Sequence, residues 1–549
     1  MHKNIIDHIK RKARHITYGN AFYDWSLGGP VCGLNEKIPQ DIWSGHLEAG
    51  QAICDGYFML SDQPYPLENA LWTEDEDQPV WVQYIHGFSW LCGLKAISGN
   101  IARYQARDMI ANWIHHYAHW HPLTWKPALT GARIANWIGG FGFYGETAGH
   151  EFQDDVLHCI LKQARHLSRT LGTTATEEKL YGIDLLFAAK GLIYAGLAFA
   201  DHEHWLEQGL NHLEHETKRQ ILRDGMHISR CPETQRKTLK LYIDIQNALA
   251  RCGYPVPVHM ADTIQKMVQA LRFFRYSDKG LALFQGGQEG HNEELDEILL
   301  RANARGKTLK SLPNAGFERM TVGRSVLMVD ASAPPPFPYD NKTHAAPLSF
   351  EFTYGKERIF VNTGTHPTDP KWQDILRNTA AHNTLIIDDR NAAEITPTGH
   401  LGRKPRKITV HREDNRNKAL IDMSHDGYIP VNGITHRRRL YLGAYGHDLR
   451  GEDKLTCSIG LQKQHEYAIR FHLHPRALVS LIRDGQEALL RLQNGSGWRF
   501  VQQGGVHLAL ENSIYLGEGT TPRKTKQIVI YGNIESDFTE IKWALQREG

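Results

Sequence analysis

The sequence predicts an α+β, multidomain chain: a helical N-terminal part followed by an antiparallel β domain. Two observations carry this. From Trp81 to Phe274 apolar residues recur at spacings of three and four, the period of an amphipathic helix. After residue 315 the segments become short, β-branched and alternating, with turn signals and no intervening helices, which is the pattern of an antiparallel sandwich or barrel-like domain.

The elements follow in order. Residues 1–78 read as an irregular extension packed on the helical domain, rich in Gly, Pro, Trp and Tyr. Residues 79–315 read as the helical domain. Trp81, Tyr84, Phe88, Leu91 and Leu94 mark one helix, and Ile101–Tyr117 and Gly131–Ile138 continue the pattern. Leu185 to Phe199 is another helix, with Ala188, Ala189, Gly191 and Gly196 allowing a close neighbour. Trp205–Leu222, Thr238–Ala250 and Ala261–Phe274 follow, the last read as the final long helix. Residues 316–549 read as the β domain. Its strands are expected at Arg324–Val329, Lys407–His411, Arg437–Leu442, Ala468–His474, Val506–Leu510 and Gln527–Tyr531.

Composition sets bounds on partners. A chain of 549 residues is long enough for two or three domains with real cores. Lys+Arg 63 balances Asp+Glu 61, so no global basic footprint for nucleic acid exists. The 31 histidines make the charge sensitive to mild acid. Seven cysteines, at 32, 54, 92, 159, 231, 252 and 457, form no CxxC pair. That spacing argues against a disulfide framework or a thiolate zinc site and fits reduced thiols. The N-terminus carries positive charge without an apolar run of signal-peptide length, and no segment reads as transmembrane. A cytoplasmic protein is therefore expected.

The most informative block runs from Leu348 to Asp388. LSFEFTY alternates as a strand, Gly355–Lys356 turn the chain, Arg358–Val361 begin a second strand, and Thr384–Ile387 form a third. His344, Asn362, Arg377, His382 and Asn383 fall at strand ends or adjoining loops. A histidine before an LSFE-type strand, a VNTG turn and an RNTAAHNTL segment, in that order, resemble the C-terminal domain of heparinase II/III-like polysaccharide lyases. QYIHGFSWL (83–91), QILRDGMHISRCPE (220–233), SHDGY (424–428) and THRRRLYL (435–442) resemble further family segments. The resemblance implies an incomplete α/α toroid followed by an antiparallel β-sandwich. It also implies β-elimination on an acidic, uronic-acid-containing oligo- or polysaccharide, in a cleft between the two domains. Relatives of this kind work in the periplasm or cell envelope, which is the alternative location.

Such a reaction needs a donor or cation on the uronate carboxylate, a base for the C5 proton and an acid for the departing oxygen. The resemblance places His344 and His382 in the site. It implies a structural zinc held by His344, His382 and the turn residue, here Asn362, though no cofactor is required for the reaction. Where the family carries tyrosine and histidine, this chain has Thr234 and Gln235; where it carries an Asn-His pair, this chain has Ile183-Asp184. Replacements are therefore assigned. Arg230 and Gln235 are expected to hold the carboxylate, with His344 or Tyr428 moving the proton. Arg377, Asn383, Glu233, His425 and His436 are expected to contact substrate. Two alternatives stand beside the lyase. One is a glycan-binding or structural protein that kept the fold without the chemistry. The other is a glycoside hydrolase on the same plan, which would need two carboxylates such as Asp224 and Glu233, or Asp184.

Overall fold

The structure is a computed structural model and describes residues 12–31, 33–61, 63–67, 72, 79–171, 180–415, 417–458 and 460–548. The chain divides into two compact units. One comprises the chain up to Gln220 together with Thr238–Ile264; the other comprises Ile221–Lys237 and the chain from Gln265 onward. The sequence boundary near 315 marks the change of secondary structure. The division by packing instead places the loop 221–237 and residues 265–315 with the sheets.

The first unit is helical. Gly99–Tyr117, Pro127–Tyr144, His150–Thr170, Ile183–Ala198 and Glu203–Gln220 are its long helices. Gly131 and Gly191 let two of them meet at the backbone: a Cβ built on Gly191 would lie 2.4 Å from the Gly131 Cα. Three expectations need correction. The helix read through Trp81–Leu94 is two, Pro79–His86 and Leu91–Ile97, broken where Phe88 takes a φ of 58°. His150–Thr170 escaped notice although Val156, Ile160, Leu161, Ala164 and Leu167 line its buried face. Residues before 79 are not wholly irregular: Ala21–Leu27 and Leu47–Cys54 are helices, and Tyr57–Leu60 pairs with Gln63–Pro66. The first eleven residues of that extension, and Cys32, lie outside the described residues; the six described cysteines are free thiols. Trp113, Trp125 and Trp137 are buried in the core of this unit.

The second unit carries three antiparallel sheets. The five-stranded sheet runs Ser311–Leu312, Phe317–Val322, Ser325–Asp330, Phe350–Tyr354, Glu357–Phe360. The four-stranded sheet orders His507–Tyr515, Arg523–Ile534, His465–His472 and Leu385–Ile387. The eight-stranded sheet runs from Leu478–Ile482 through Glu487–Arg491, Gly497–Gln503, Phe538–Glu548, Asp448–Cys457, Ile434–Gly443 and Lys418–Tyr428 to Ile408–Asn415. All three contribute to one core, including Phe352, Leu385, Ile469, Leu440 and Trp543. Helices outside the reading from sequence include Asn292–Arg301, which follows the expected last helix, and Pro370–Leu376 and the short Ile429–Asn432, which interrupt the β region.

Alternation puts His436 and Arg438 on the inner face of their strand, where both are fully buried. Asp453, on the neighbouring strand, accepts from His436 Nε2 at 2.7 Å, Arg438 Nε at 2.7 Å and Trp543 Nε1 at 3.0 Å. Arg438 Nη1 donates to the carbonyls of Leu348 (3.0 Å) and Asn383 (2.8 Å). One ion pair thus joins the eight-stranded sheet to the segments entering the other two. Removing one partner of a buried pair strands the other charge, at a cost of roughly 3–5 kcal/mol. Asp453→Ala should therefore lower the unfolding free energy by that amount in urea unfolding followed by tryptophan fluorescence. A loss below about 1 kcal/mol would show the pair to be dispensable.

Buried imidazoles make the same unit acid-sensitive. Burial pushes His382, His472 and His474 down to about 3 from the usual 6.5. The unfolded chain binds these protons first as pH falls, so the stabilisation present above pH 6.5 is lost between 6.5 and about 3. Each contributes a slope of about 1.4 kcal/mol per pH unit. Glu351 acts oppositely: burial raises it from 4.5 to about 7, so it favours folding as pH falls through that window and offsets one imidazole. Urea midpoints should drop from pH 7.5 to 5.5, and less steeply in His472→Gln. An unchanged midpoint across that range would contradict the burial of neutral histidines.

Candidate functional site

The site grows from three loops of the second unit. Residues 340–348 lead into the strand Phe350–Tyr354. They are clamped from one side: Arg377 donates Nε to Thr343 O (2.9 Å), Ala345 N bonds Arg377 O, and Thr379 Oγ1 bonds Ala345 O (2.5 Å). This fixes His344. The turn Thr379–Ala381 presents His382 opposite it, and His344 Nδ1 lies 3.0 Å from His382 Nε2. The pair predicted to converge does so, in hydrogen-bond contact.

The third loop comes from the helical stretch. Gln285 accepts from His344 N (2.9 Å) and donates to Asp330 Oδ2 (2.5 Å). Asp330 also attracts the Arg230 guanidinium, whose Nε donates to Ala315 O at 3.0 Å. Burial pulls the Arg230 pKa below its usual value while Asp330 and Asp224 oppose this. A continuous polar path therefore runs Arg230, Asp330, Gln285, His344, His382. Arg230, Gln285 and Leu348 each hold a positive φ, 59°, 50° and 58°. Such conformations cost of order 1–3 kcal/mol apiece and persist where surroundings enforce them, often at functional sites. Gly286 (φ 77°) completes the loop: a Cβ there would stand 3.3 Å from His344 Nε2. A side chain there would crowd that nitrogen, and the positive φ itself favours glycine.

Both imidazoles are neutral. Burial first, then His382 and Arg377, hold His344 well below the ordinary histidine value; burial takes His382 to about 3. A neutral pair sharing one hydrogen bond can accept a proton at the outer nitrogen and pass charge inward.

Several assignments from sequence do not survive. Tyr428 is fully buried, donates its hydroxyl to Leu385 O (3.0 Å), and burial raises its pKa, so it is not an accessible base. Gln235 is interior: its oxygen accepts His227 N (2.6 Å) and its nitrogen donates to Gly225 O and Met267 O (2.9 Å each). Its amide is spent on holding the loop. Arg377 is not a carboxylate anchor, because it serves the carbonyls of Thr343 and Gly399. Asn383 is buried between Phe350 O and His472 N. His425 and His436 are core residues bonded to one another (3.1 Å). Burial would raise Glu233, but Arg236 and Lys237 prevail and hold it at about 2. Asp224 caps Asn314 N and Ala315 N (2.8 Å each). Neither carboxylate is poised for hydrolase chemistry.

The zinc expectation meets a poor donor set. Asn362 Oδ1, a neutral amide oxygen and a weak zinc ligand, already accepts from Asn383 N (3.2 Å), and its NH₂ group is a donor that cannot ligate. The facing nitrogens of His344 and His382 bond each other. Among the described residues no group of three or more His, Cys, Asp or Glu could hold a metal ion. The residues present do not fit a closed tetrahedral zinc site.

Sequence reading missed Gln285 and Gly286. The glycine-rich LFQGGQEG at 283–290 was the available signal for both. His472 bonds Ser513 Oγ (2.7 Å) and Ala380 O (3.0 Å) beside His382.

Comparison with known proteins agrees with this fold. Residues 103–304 match the heparinase II/III N-terminus family and residues 304–544 the heparinase II/III-like C-terminal family. FtsZ-localized protein C of Caulobacter vibrioides is 28% identical over 480 residues, covering 84% of this chain and 81% of that protein. Heparin-sulfate lyase of Pedobacter heparinus is 21% identical over 436 residues, covering 70% of this chain and 62% of the lyase. The crystal structure of heparinase III superposes with a TM-score of 0.76 at 14% identity, covering 93% of this chain and 87% of that one. Heparan sulfate lyase HepC from Pedobacter heparinus gives 0.62 at 16% identity, covering 95% and 84%. With both family halves matched in order along the chain, the protein belongs to the heparinase II/III-like family.

Proposed function

We propose that this protein is a polysaccharide-lyase-like enzyme that cleaves an acidic, uronic-acid-containing glycan by β-elimination at the His344–His382 edge. The observation that carries the reading is the polar path from Arg230 through Asp330 and Gln285 to two neutral, paired imidazoles. Arg230 would pair with the uronate carboxylate and stabilise the enolate-like intermediate. His344 Nε2 would take the C5 proton while His382 shares the charge through the Nδ1–Nε2 contact. The same proton would then go to O4 as the C4–O4 bond breaks, leaving a C4–C5 double bond. No metal is required by this scheme.

A second reading has its own support. Tyr428 and Gln235 are interior, so fewer groups remain than an efficient lyase uses, and one relative is named for localisation with FtsZ. Under that reading the chain keeps the fold as a binding protein associated with an FtsZ assembly. No described helix is long and apolar enough to cross a membrane. We place either activity in the cytoplasm.

A screen of uronic-acid polymers and oligomers, followed by ultraviolet absorbance of the unsaturated product, separates the two. On a cleaved substrate His344→Ala should lower the rate by roughly 10²–10⁴-fold, the usual worth of an acid–base group. Gly286→Ala should lose activity as well, since its methyl would crowd Nε2. Full activity in both variants would remove the site assignment. No cleavage of any uronic-acid glycan, with co-sedimentation on FtsZ polymers, would favour the binding protein.

A further inference from the structure

A cluster of uncompensated cations lies elsewhere in the second unit, at the far end of the strand that begins with Phe350. Tyr354 closes that strand and is buried. Two guanidinium groups lie over its ring, Arg324 with its Cζ 4.9 Å from the centroid and Arg547 at 5.0 Å. Arg547 Nη1 donates to Tyr354 OH (2.9 Å) and contacts His447 Nε2 (3.2 Å). Burial, then Arg547, pushes the His447 pKa down, so the histidine adds a neutral ring. The Nε of Arg547 is shielded from solvent and has no hydrogen-bond partner among the described residues.

Two adjoining cavities of about 360 and 620 Å³ open here, and both are lined by Arg324 and by Asn494 of a glycine-rich turn. Lys356 lines the larger one. Carboxylates are present but do not neutralise the arginines. Glu548 is paired with Arg499 at 2.5 Å, and Glu357 lines only the larger cavity. Among the described residues no carboxylate lies within ion-pair distance of Arg324 or Arg547. Elsewhere in this unit two buried arginines are paired with carboxylates, Arg438 with Asp453 and Arg358 with Asp278. Two forked donors left open beside a lysine suit an anion with several oxygens. The guanidiniums cover the Tyr354 ring, so recognition there is by charge and not by stacking on a sugar face. The trough is larger than one ion, which favours an anionic group carried on a chain.

We propose that the Arg324–Tyr354–Arg547 trough binds a sulfate or phosphate ester group of an acidic oligosaccharide. The assignment is separate from the elimination reaction and stands whether or not the chain cleaves its ligand.

Isothermal titration of the full chain with a sulfated uronate hexasaccharide, its desulfated counterpart, inorganic sulfate and inorganic phosphate tests this at constant ionic strength. The sulfated hexasaccharide should bind, more weakly as chloride is raised. Arg324→Ala and Arg547→Gln should each weaken it by about tenfold or more, and neither should change binding of the desulfated chain. His344→Ala should leave the sulfate-dependent part intact, which keeps this site distinct from the proposed reaction centre. Should Arg547→Gln fail to fold, the exposed Arg324→Ala decides alone. Equal affinity of wild type and Arg324→Ala for the sulfated chain would overturn the proposal. Arginine-dependent binding of the inorganic ions without binding of the sulfated chain would overturn the glycan assignment in favour of a free-ion site.

Discussion

The Arg438–Asp453 ion pair is the constraint on which the β unit depends. An arginine with no exposed surface is costly unless its charge and its donors are met. Here Asp453 meets the charge and two carbonyls, those of Leu348 and Asn383, meet one Nη. Those carbonyls precede the strands at Phe350 and Leu385. The pair therefore sets where two sheets begin relative to the third. Leu348 reaches its carbonyl position only with a φ of 58°, so backbone strain there is offset by the ion pair. His344 lies shortly before Leu348 and His382 immediately before Asn383 in sequence, so the His344–His382 edge inherits their placement.

The β half was legible because alternation is a local property. Arg437–Leu442 and Gln527–Tyr531 read as strands, and both lie inside longer strands of the structure, Ile434–Gly443 and Arg523–Ile534. The helical half was legible where one apolar stripe dominates. It failed at Phe88, where packing among Trp72, Trp90 and Trp137 overrides a continuous helical pattern. It failed again at Asn292–Arg301, a short charged helix whose buried face is only Leu295 and Ile298. Too few apolar positions were present to announce that helix.

The site was legible in part, for a different reason. His344 and His382 could be paired because they belong to neighbouring strand ends within forty residues. Gln285 could not, since its contact with His344 joins segments far apart in sequence and leaves no periodic trace. The misassigned residues share one cause. Tyr428, Gln235, Asn383 and His436 have side chains able to do chemistry, and each is instead consumed by a backbone or buried partner. A motif names the residue type at a position; it does not say which way that residue's hydrogen bonds are spent.

That distinction orders the arginines of this unit. Arg438 and Arg358 are neutralised by buried carboxylates, and Arg377 is spent on carbonyls, so all three position structure. Arg230 differs, because its one short bond goes through Nε to Ala315 O. The only other described contact from its guanidinium is a long one, Nη1 to Ile228 O at 3.5 Å. The nearby charge of Asp330 is shared with Gln285 and Ser332. A guanidinium in this state keeps its charge yet retains donors to offer, which is what recognition of a carboxylate demands. The lowered pKa from burial makes its charge more dependent on an anion arriving than that of an exposed arginine. Arg230 is thus the cation of the candidate site whose solvation a bound uronate would improve, and the strained backbone that holds it there is consistent with that use.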